Sequence, residues 1–271
     1  MMTTMTGREE PSVLLEAQGV SKAFAGVQAL ADVAITVERG QVTCLLGDNG
    51  AGKSTLIKIL SGVIRPDSGR LLVDGEEANF KSPRAALDRG VATVFQDLAV
   101  VPIMPVYRNF FLGREPTRGV GPLRWFDVRQ ARKTAREQLQ QMGIDIQDVN
   151  RPVQTLSGGQ RQCVAIARAM HFGARVLILD EPTSALGVKE AELVLKHILK
   201  ARGAGIGVVL ITHNVQHAYP VGDAFVILRR GRMEATVVKD EVTVTELEHH
   251  MAGGQELERL KSDLSSFEIA E

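Results

Sequence analysis

Gln41-Val42-Thr43-Cys44-Leu45-Leu46-Gly47-Asp48-Asn49-Gly50-Ala51-Gly52-Lys53-Ser54 is the stretch on which the fold turns. Its first six residues form an apolar strand that runs into a glycine-rich loop. Ser54 to Leu60 then has helical spacing, with Leu56, Ile59 and Leu60 on one face and Gly62 as the stop. Gly47 to Ser54 is G-x-x-x-x-G-K-S between a strand and a helix, the context this motif needs to cradle phosphate. Successive backbone N–H groups wrap the anion, the glycines permit close approach, and the helix N-terminus adds partial positive charge. Lys53 is placed to bridge the β and γ phosphates, Ser54 to ligate Mg²⁺, and Thr55 to lie near the α phosphate. A chance glycine-rich turn is the competing explanation, and the flanking strand and helix weigh against it.

Outward from this loop, Val13 to Gln18 and Ala34 to Val37 read as short alternating strands. Arg70 to Val73, the turn Asp74-Gly75 and Glu76 onward read as strand, turn and strand. Val91 to Phe95, Arg175 to Leu179 and Gly207 to Ile211 are apolar throughout, as strands buried on both faces are, and helical stretches precede the last two. Alternating strands and helices of this kind give an α/β fold with a parallel sheet covered on both sides. Val128 to Met142 reads as an exposed amphipathic helix, and the segment from about Asp97 to Ala169 as a helical insertion.

Lys+Arg and Asp+Glu both number 32, so no global basic field points to nucleic acid. Hydrophobic residues make up 44%, enough for a sizeable core. No apolar run approaches the roughly 18–20 residues that span a bilayer. Met1 to Glu10 is polar and lacks the apolar stretch of a secretory signal. Cys44 and Cys163 lie far apart in apolar segments, as buried free thiols of a reducing compartment do.

Val176-Leu177-Ile178-Leu179-Asp180-Glu181 ends a buried strand in two carboxylates. A parallel strand delivers its last residues to the sheet edge where ligands bind. Asp180 is a candidate for holding Mg²⁺ and Glu181 for polarising an attacking water. Many buried strands end in acids simply to return to solvent, so the pair gains weight from the phosphate loop. Leu156-Ser157-Gly158-Gly159-Gln160 discriminates further. Ser157 and Gln160 form an S-x-x-Q capping box, and Cys163, Ile166, Ala167 and Met170 follow on one helical face. Two glycines in a first turn cost about 1 kcal/mol each relative to Ala, and they leave its N–H groups open to an anion.

With this pentapeptide about twenty residues before the Asp–Glu strand, the sequence resembles the ABC ATPase family over about Val13 to Arg232. The resemblance implies a P-loop NTPase core with a mostly parallel sheet, an N-terminal antiparallel β subdomain and a helical signature subdomain. It implies one domain over 13–240, with the helical subdomain at about 97–169. Residues 1–12 are then a disordered tail and 241–271 a C-terminal helical tail, with Glu246 to Met251 and Glu256 to Lys261 patterned as short helices. It further implies ATP and Mg²⁺ as ligands, bound by Gly47, Asp48, Asn49, Gly50, Ala51, Gly52, Lys53, Ser54 and Thr55. Ser157, Gly158, Gly159 and Gln160 would contact the γ phosphate of ATP held by a second copy, head to tail. Gln96 matches the glutamine that senses Mg²⁺ and γ phosphate, His213 the switch histidine that contacts the γ phosphate, and Phe24 the aromatic stacked on adenine. Taken alone, the three fit a surface amide, a strand-end histidine and a core aromatic. Gly187 stands where the family usually has an Asp that helps couple the two sites.

Ser184-Ala185-Leu186-Gly187-Val188-Lys189-Glu190 and Arg108-Asn109-Phe110-Phe111-Leu112-Gly113-Arg114-Glu115 are similar to the ATP subunits of bacterial simple-sugar importers. That branch implies import of a monosaccharide such as fructose, ribose or xylose. It also implies a transmembrane permease, an indirect periplasmic sugar-binding partner, and a peripheral position on the cytoplasmic face of the inner membrane. An ABC subunit for another cargo, or a soluble ABC ATPase of DNA repair or translation, is the alternative. About a hundred residues separate Ser54 from Leu156, without the sustained heptads that repair members insert.

Overall fold

A computed structural model describes residues 13–252. In chain order the elements begin with strands β1 (Val13–Phe24), β2 (Val27–Glu38) and β3 (Val42–Leu46), followed by helix α1 (Lys53–Leu60). Next come β4 (Ser68–Val73), β5 (Glu76–Glu77), α2 (Pro83–Asp88), β6 (Val91–Val94), α3 (Val106–Phe110), β7 (Thr117–Arg118), β8 (Trp125–Phe126) and α4 (Val128–Gln141). The second half holds α5 (Gly158–His171), β9 (Val176–Asp180), α6 (Val188–Gly203), β10 (Gly207–Thr212), α7 (Val215–Ala218), β11 (Ala224–Arg229), β12 (Arg232–Val238) and α8 (Val244–Ala252).

The central sheet runs β12-β11-β3-β10-β9-β6. All neighbouring pairs are parallel except β11 with β12. Its strands alternate between two buried layers, which is why they read as unbroken apolar runs. Leu45, Ile178, Val209, Ile211 and Val226 face a core shared with α1 and the antiparallel sheet β2-β1-β4-β5. Cys44, Leu46, Leu177, Leu179, Leu210 and Ile227 face a second core shared with α3 to α6 and α8. Cys44 and Cys163 are both free and buried, and burial pushes the Cys163 thiol up to about 12.

Both N-terminal strands are longer than expected, at 12 residues each. Ala25 and Gly26 both have positive φ, at 46° and 85°, and close a two-residue hairpin between Phe24 and Val27. Register shifts between Ala17 and Ala23 break the alternation there, so the outer half of each strand lacks the period-two pattern. Asp74-Gly75 forms the expected turn, again with both φ values positive. The inserted segment differs from the expectation in carrying a small β7–β8 hairpin between α3 and α4. In the C-terminal part, α8 buries Leu247 and Met251 against the second core. The expected tail at 1–12 and the helix at Glu256 to Lys261 lie outside the described residues.

Candidate functional site

The carboxyl ends of four adjacent parallel strands, β3, β10, β9 and β6, build the site. From β3 the chain enters the glycine loop. A Cβ on Gly47, whose φ is 149°, would sit 2.2 Å from the carbonyl oxygen of Leu228 on β11. Gly52, with φ 107°, caps α1 without any side-chain bond, so no capping side chain covers the N–H groups at the start of the helix. Lys53 is buried, and its ammonium donates to the Gly47 oxygen at 2.5 Å and the Asp48 oxygen at 3.0 Å. Burial holds its pKa below the ordinary lysine value, against the pull of Glu181, Asp48 and Asp180. The Ser54 side is exposed, and Thr55 is half-buried.

Strand β9 ends in Asp180, which pairs with Ile211 of β10. Burial, then the Glu181 charge, raise the Asp180 carboxyl above its ordinary range, while Lys53 and Lys58 pull it down. Glu181 follows with φ 47°, a left-handed conformation rare for a non-glycine residue. Its N–H donates to the Ile211 oxygen at 2.9 Å. Its carboxylate accepts from the Thr212 hydroxyl at 3.2 Å and from the His213 backbone at 3.1 Å, and it lies 2.8 Å from His213 Nδ1. Gln96 stands two residues beyond β6, the last strand of the row.

These ends open on a cleft of about 550 Å³ lined by Asp48 to Gly50, Gly52 to Thr55, Gln96, Asp180 and Glu181. The cleft has two further walls that the motifs did not reveal. Val27, Gln28 and Ala29 contribute from β2, and Arg230 and Gly231 from the β11–β12 turn. The Gly231 N–H donates to the Ala51 oxygen at 2.9 Å, which ties that turn to the loop. The signal in the sequence was a turn dipeptide, Arg230-Gly231, between an apolar strand and an alternating one. Phe24 is 47% exposed, with the Lys22 ammonium 5.6 Å from its ring centre, and stands outside the cleft lining.

Ser157 to Gln160 also stand apart from the cleft, at the start of α5. The capping box is formed: the Ser157 hydroxyl accepts from Gln160 N at 3.3 Å, and the Gln160 side chain accepts from Ser157 N at 3.0 Å. The glycines have a second reason to be there. A Cβ on Gly159 would meet the Glu190 backbone oxygen at 3.1 Å, and one on Gly158 would meet Leu186 Cδ2 at 2.6 Å.

A polyanion with oxygen-bound divalent charge fits these residues. The loop has no room for a Cβ at Gly47, its lysine is buried with its ammonium on loop carbonyls, and Asp180 and Ser54 present hard oxygen donors. A phosphate loop on the central strand, a paired acidic strand end and a separate capped glycine helix define an ATP-binding cassette on a P-loop NTPase fold.

The chain belongs to the ABC transporter family, whose model matches residues 30–184. It is 43% identical over 236 residues to the xylose/arabinose import ATP-binding protein of Sulfolobus acidocaldarius, covering 87% of this chain and 92% of that one. It is 41% identical over 252 residues to the fructose import ATP-binding protein of Rhizobium meliloti, covering 92% and 96%. Among solved structures it is similar to the dimeric post-hydrolysis state of an ATP-binding cassette bound to ADP and phosphate. There the TM-score is 0.70 and the identity 26%, over 83% of this chain and 99% of that chain.

Proposed function

We propose that this chain is the ATP-hydrolysing subunit of a monosaccharide importer, working as a head-to-tail dimer on the cytoplasmic face of the cell membrane. The observation that carries this is its likeness, over nearly all of both chains, to two sugar-import ATP-binding proteins. The chemistry follows from the cleft. Amides of Asn49 to Thr55 and the Lys53 ammonium hold the β and γ phosphates, and Phe24 stacks on the adenine. Ser54, Gln96 and Asp180 supply oxygens for Mg²⁺, which when bound offsets phosphate charge. Glu181 takes a proton from the attacking water as its oxygen bonds to the γ phosphorus and the bond to the ADP oxygen breaks. His213 orients the Glu181 carboxylate through the 2.8 Å contact. Ser157 to Gln160 of a second copy complete the site.

The domain spans 13–240, with its helical subdomain at about 97–169. Its permease contact is an apolar groove of about 350 Å³ lined by Leu87, Leu98, Val100, Leu112, Ala169 and Phe172. The groove begins on the segment just after β6 that also bears Gln96, so motion at the phosphates reaches whatever helix lies in it. The periplasmic sugar-binding protein acts through that permease. Glu181→Gln should still bind ATP, lose turnover at least about 100-fold, and accumulate as a dimer on a sizing column. Near wild-type turnover would remove Glu181 from its role. Purification with a multi-span permease, and sugar-stimulated turnover of that complex in vesicles, test the importer assignment. Stimulation by a cargo other than sugar would overturn it.

A further inference from the structure

Glu181 sits in a closed ring of hydrogen bonds that reaches beyond His213. Its carboxylate is held by Thr212 and His213, and the Thr212 hydroxyl in turn accepts from Asn214 N at 3.0 Å. Asn214 Oδ1 accepts from His217 N at 3.1 Å and so caps α7. His217 Nδ1 then lies 2.9 Å from the hydroxyl of Thr183, which is buried and stands two residues beyond Glu181. The chain thus leaves Glu181, passes through Pro182 to Thr183, and returns through His217, Asn214 and Thr212 to the same carboxylate. The Thr183–His217 bond is the one tie in this ring between the turn after β9 and helix α7. Glu181 needs such a tie, because its φ of 47° is one that an unconstrained glutamate leaves.

We propose that Thr183 and His217 are a positioning pair, which locks the left-handed turn at Glu181 and so aims its carboxylate. This rests on the assignment of Glu181 as the group that activates water. Neither residue touches nucleotide in this role, so their loss acts on the chemical step and spares binding.

The test is ATP turnover of the full chain with Thr183→Val, His217→Ala and the double variant, beside Glu181→Gln and with thermal unfolding of each. Each single change is expected to lower kcat roughly five- to ten-fold with KM for ATP within about two-fold. The double variant should be no slower than the slower single. His217→Asn places a hydrogen-bonding atom near the Nδ1 position and should retain turnover. His217→Gln places its amide further out and should not, and this comparison stands even if Thr183→Val fails to fold. Wild-type kcat in both single variants, or equal kcat in His217→Asn and His217→Gln, overturns the pair. Full turnover in Glu181→Gln instead overturns the assignment beneath it.

Discussion

Gly47 has the least latitude of any residue in the loop. Its φ of 149° and the Leu228 carbonyl 2.2 Å from a would-be Cβ leave two reasons for glycine, one local and one from a strand late in the chain. Gly47→Ala should therefore displace β11 from β3, destabilise the fold by about 2 kcal/mol or more, and abolish nucleotide binding. Gly50→Ala, with φ 82° but nothing within 4 Å, should cost only about 1 kcal/mol. Thermal unfolding and binding of a fluorescent ATP analogue separate the two. The motif specifies Gly47 and leaves Gly50 at a free position, but the tightness at Gly47 depends on Leu228, which no local pattern reveals. Asp180 supports a second prediction. Burial and the Glu181 charge make the folded chain hold the Asp180 proton more tightly than the unfolded chain does. That contribution to stability is present at low pH and is lost as pH rises through the raised folded value. Asp180→Asn should thus unfold at a higher temperature than wild type near pH 7, with the gap closing as pH falls to about 3, while Mg²⁺-dependent turnover is lost.

Among the elements, α3 shows how a buried polar side chain organises a loop. Asn109 is 1% exposed. Its Oδ1 accepts from Val101 N at 2.7 Å, and its Nδ2 donates to the oxygens of Val101, Met104 and Pro105 at 3.0 to 3.3 Å. It therefore knots the segment that follows Gln96 onto α3. Asn109→Ala would strand these backbone groups and should cost about 2–4 kcal/mol in urea unfolding. The sequence showed Asn109 only as part of a stretch similar to sugar importers, since nothing in its neighbours announces a buried amide. Buried parallel strands were legible because each apolar side chain of β3, β9 and β10 faces one of two cores. The outer halves of β1 and β2 were not, because bulges erase the period and the turn is Ala25-Gly26 and not the stronger Asn-Gly signal. Nor was the β7–β8 hairpin, whose strands are two residues each and mostly exposed.

At the scale of the molecule, the phosphate loop and the glycine helix are separated, and that separation sets the assembly. The cleft is walled by β2, the loop, the strand ends and the β11–β12 turn, and Ser157 to Gln160 do not line it. The sequence held both motifs in full, yet spacing along a chain cannot say whether they meet within one copy or between two. A mixing experiment decides between these arrangements. Lys53→Ala removes the loop cation and Ser157→Arg blocks the glycine helix, so each variant alone should be inactive. In a head-to-tail dimer, every mixed pair has one site with both defects and one with neither. Random pairing makes half the dimers mixed, so an equimolar mixture should recover up to about a quarter of wild-type turnover if the two sites act independently. If they must fire together, the mixture stays near zero in turnover but still binds one ATP per mixed dimer, which equilibrium binding detects. A site built within one copy gives no recovery of either signal, because each chain then carries its own defect into every pair. Gly187, where a coupling Asp is usual in the family, caps α6 beside Leu186 and Glu190, the residues that touch Gly158 and Gly159. Its backbone N–H donates to the Glu190 carboxylate at 3.4 Å, and it has no side chain to reach across to a partner. Sites so loosely joined should act independently, so the expected outcome is the recovered fraction.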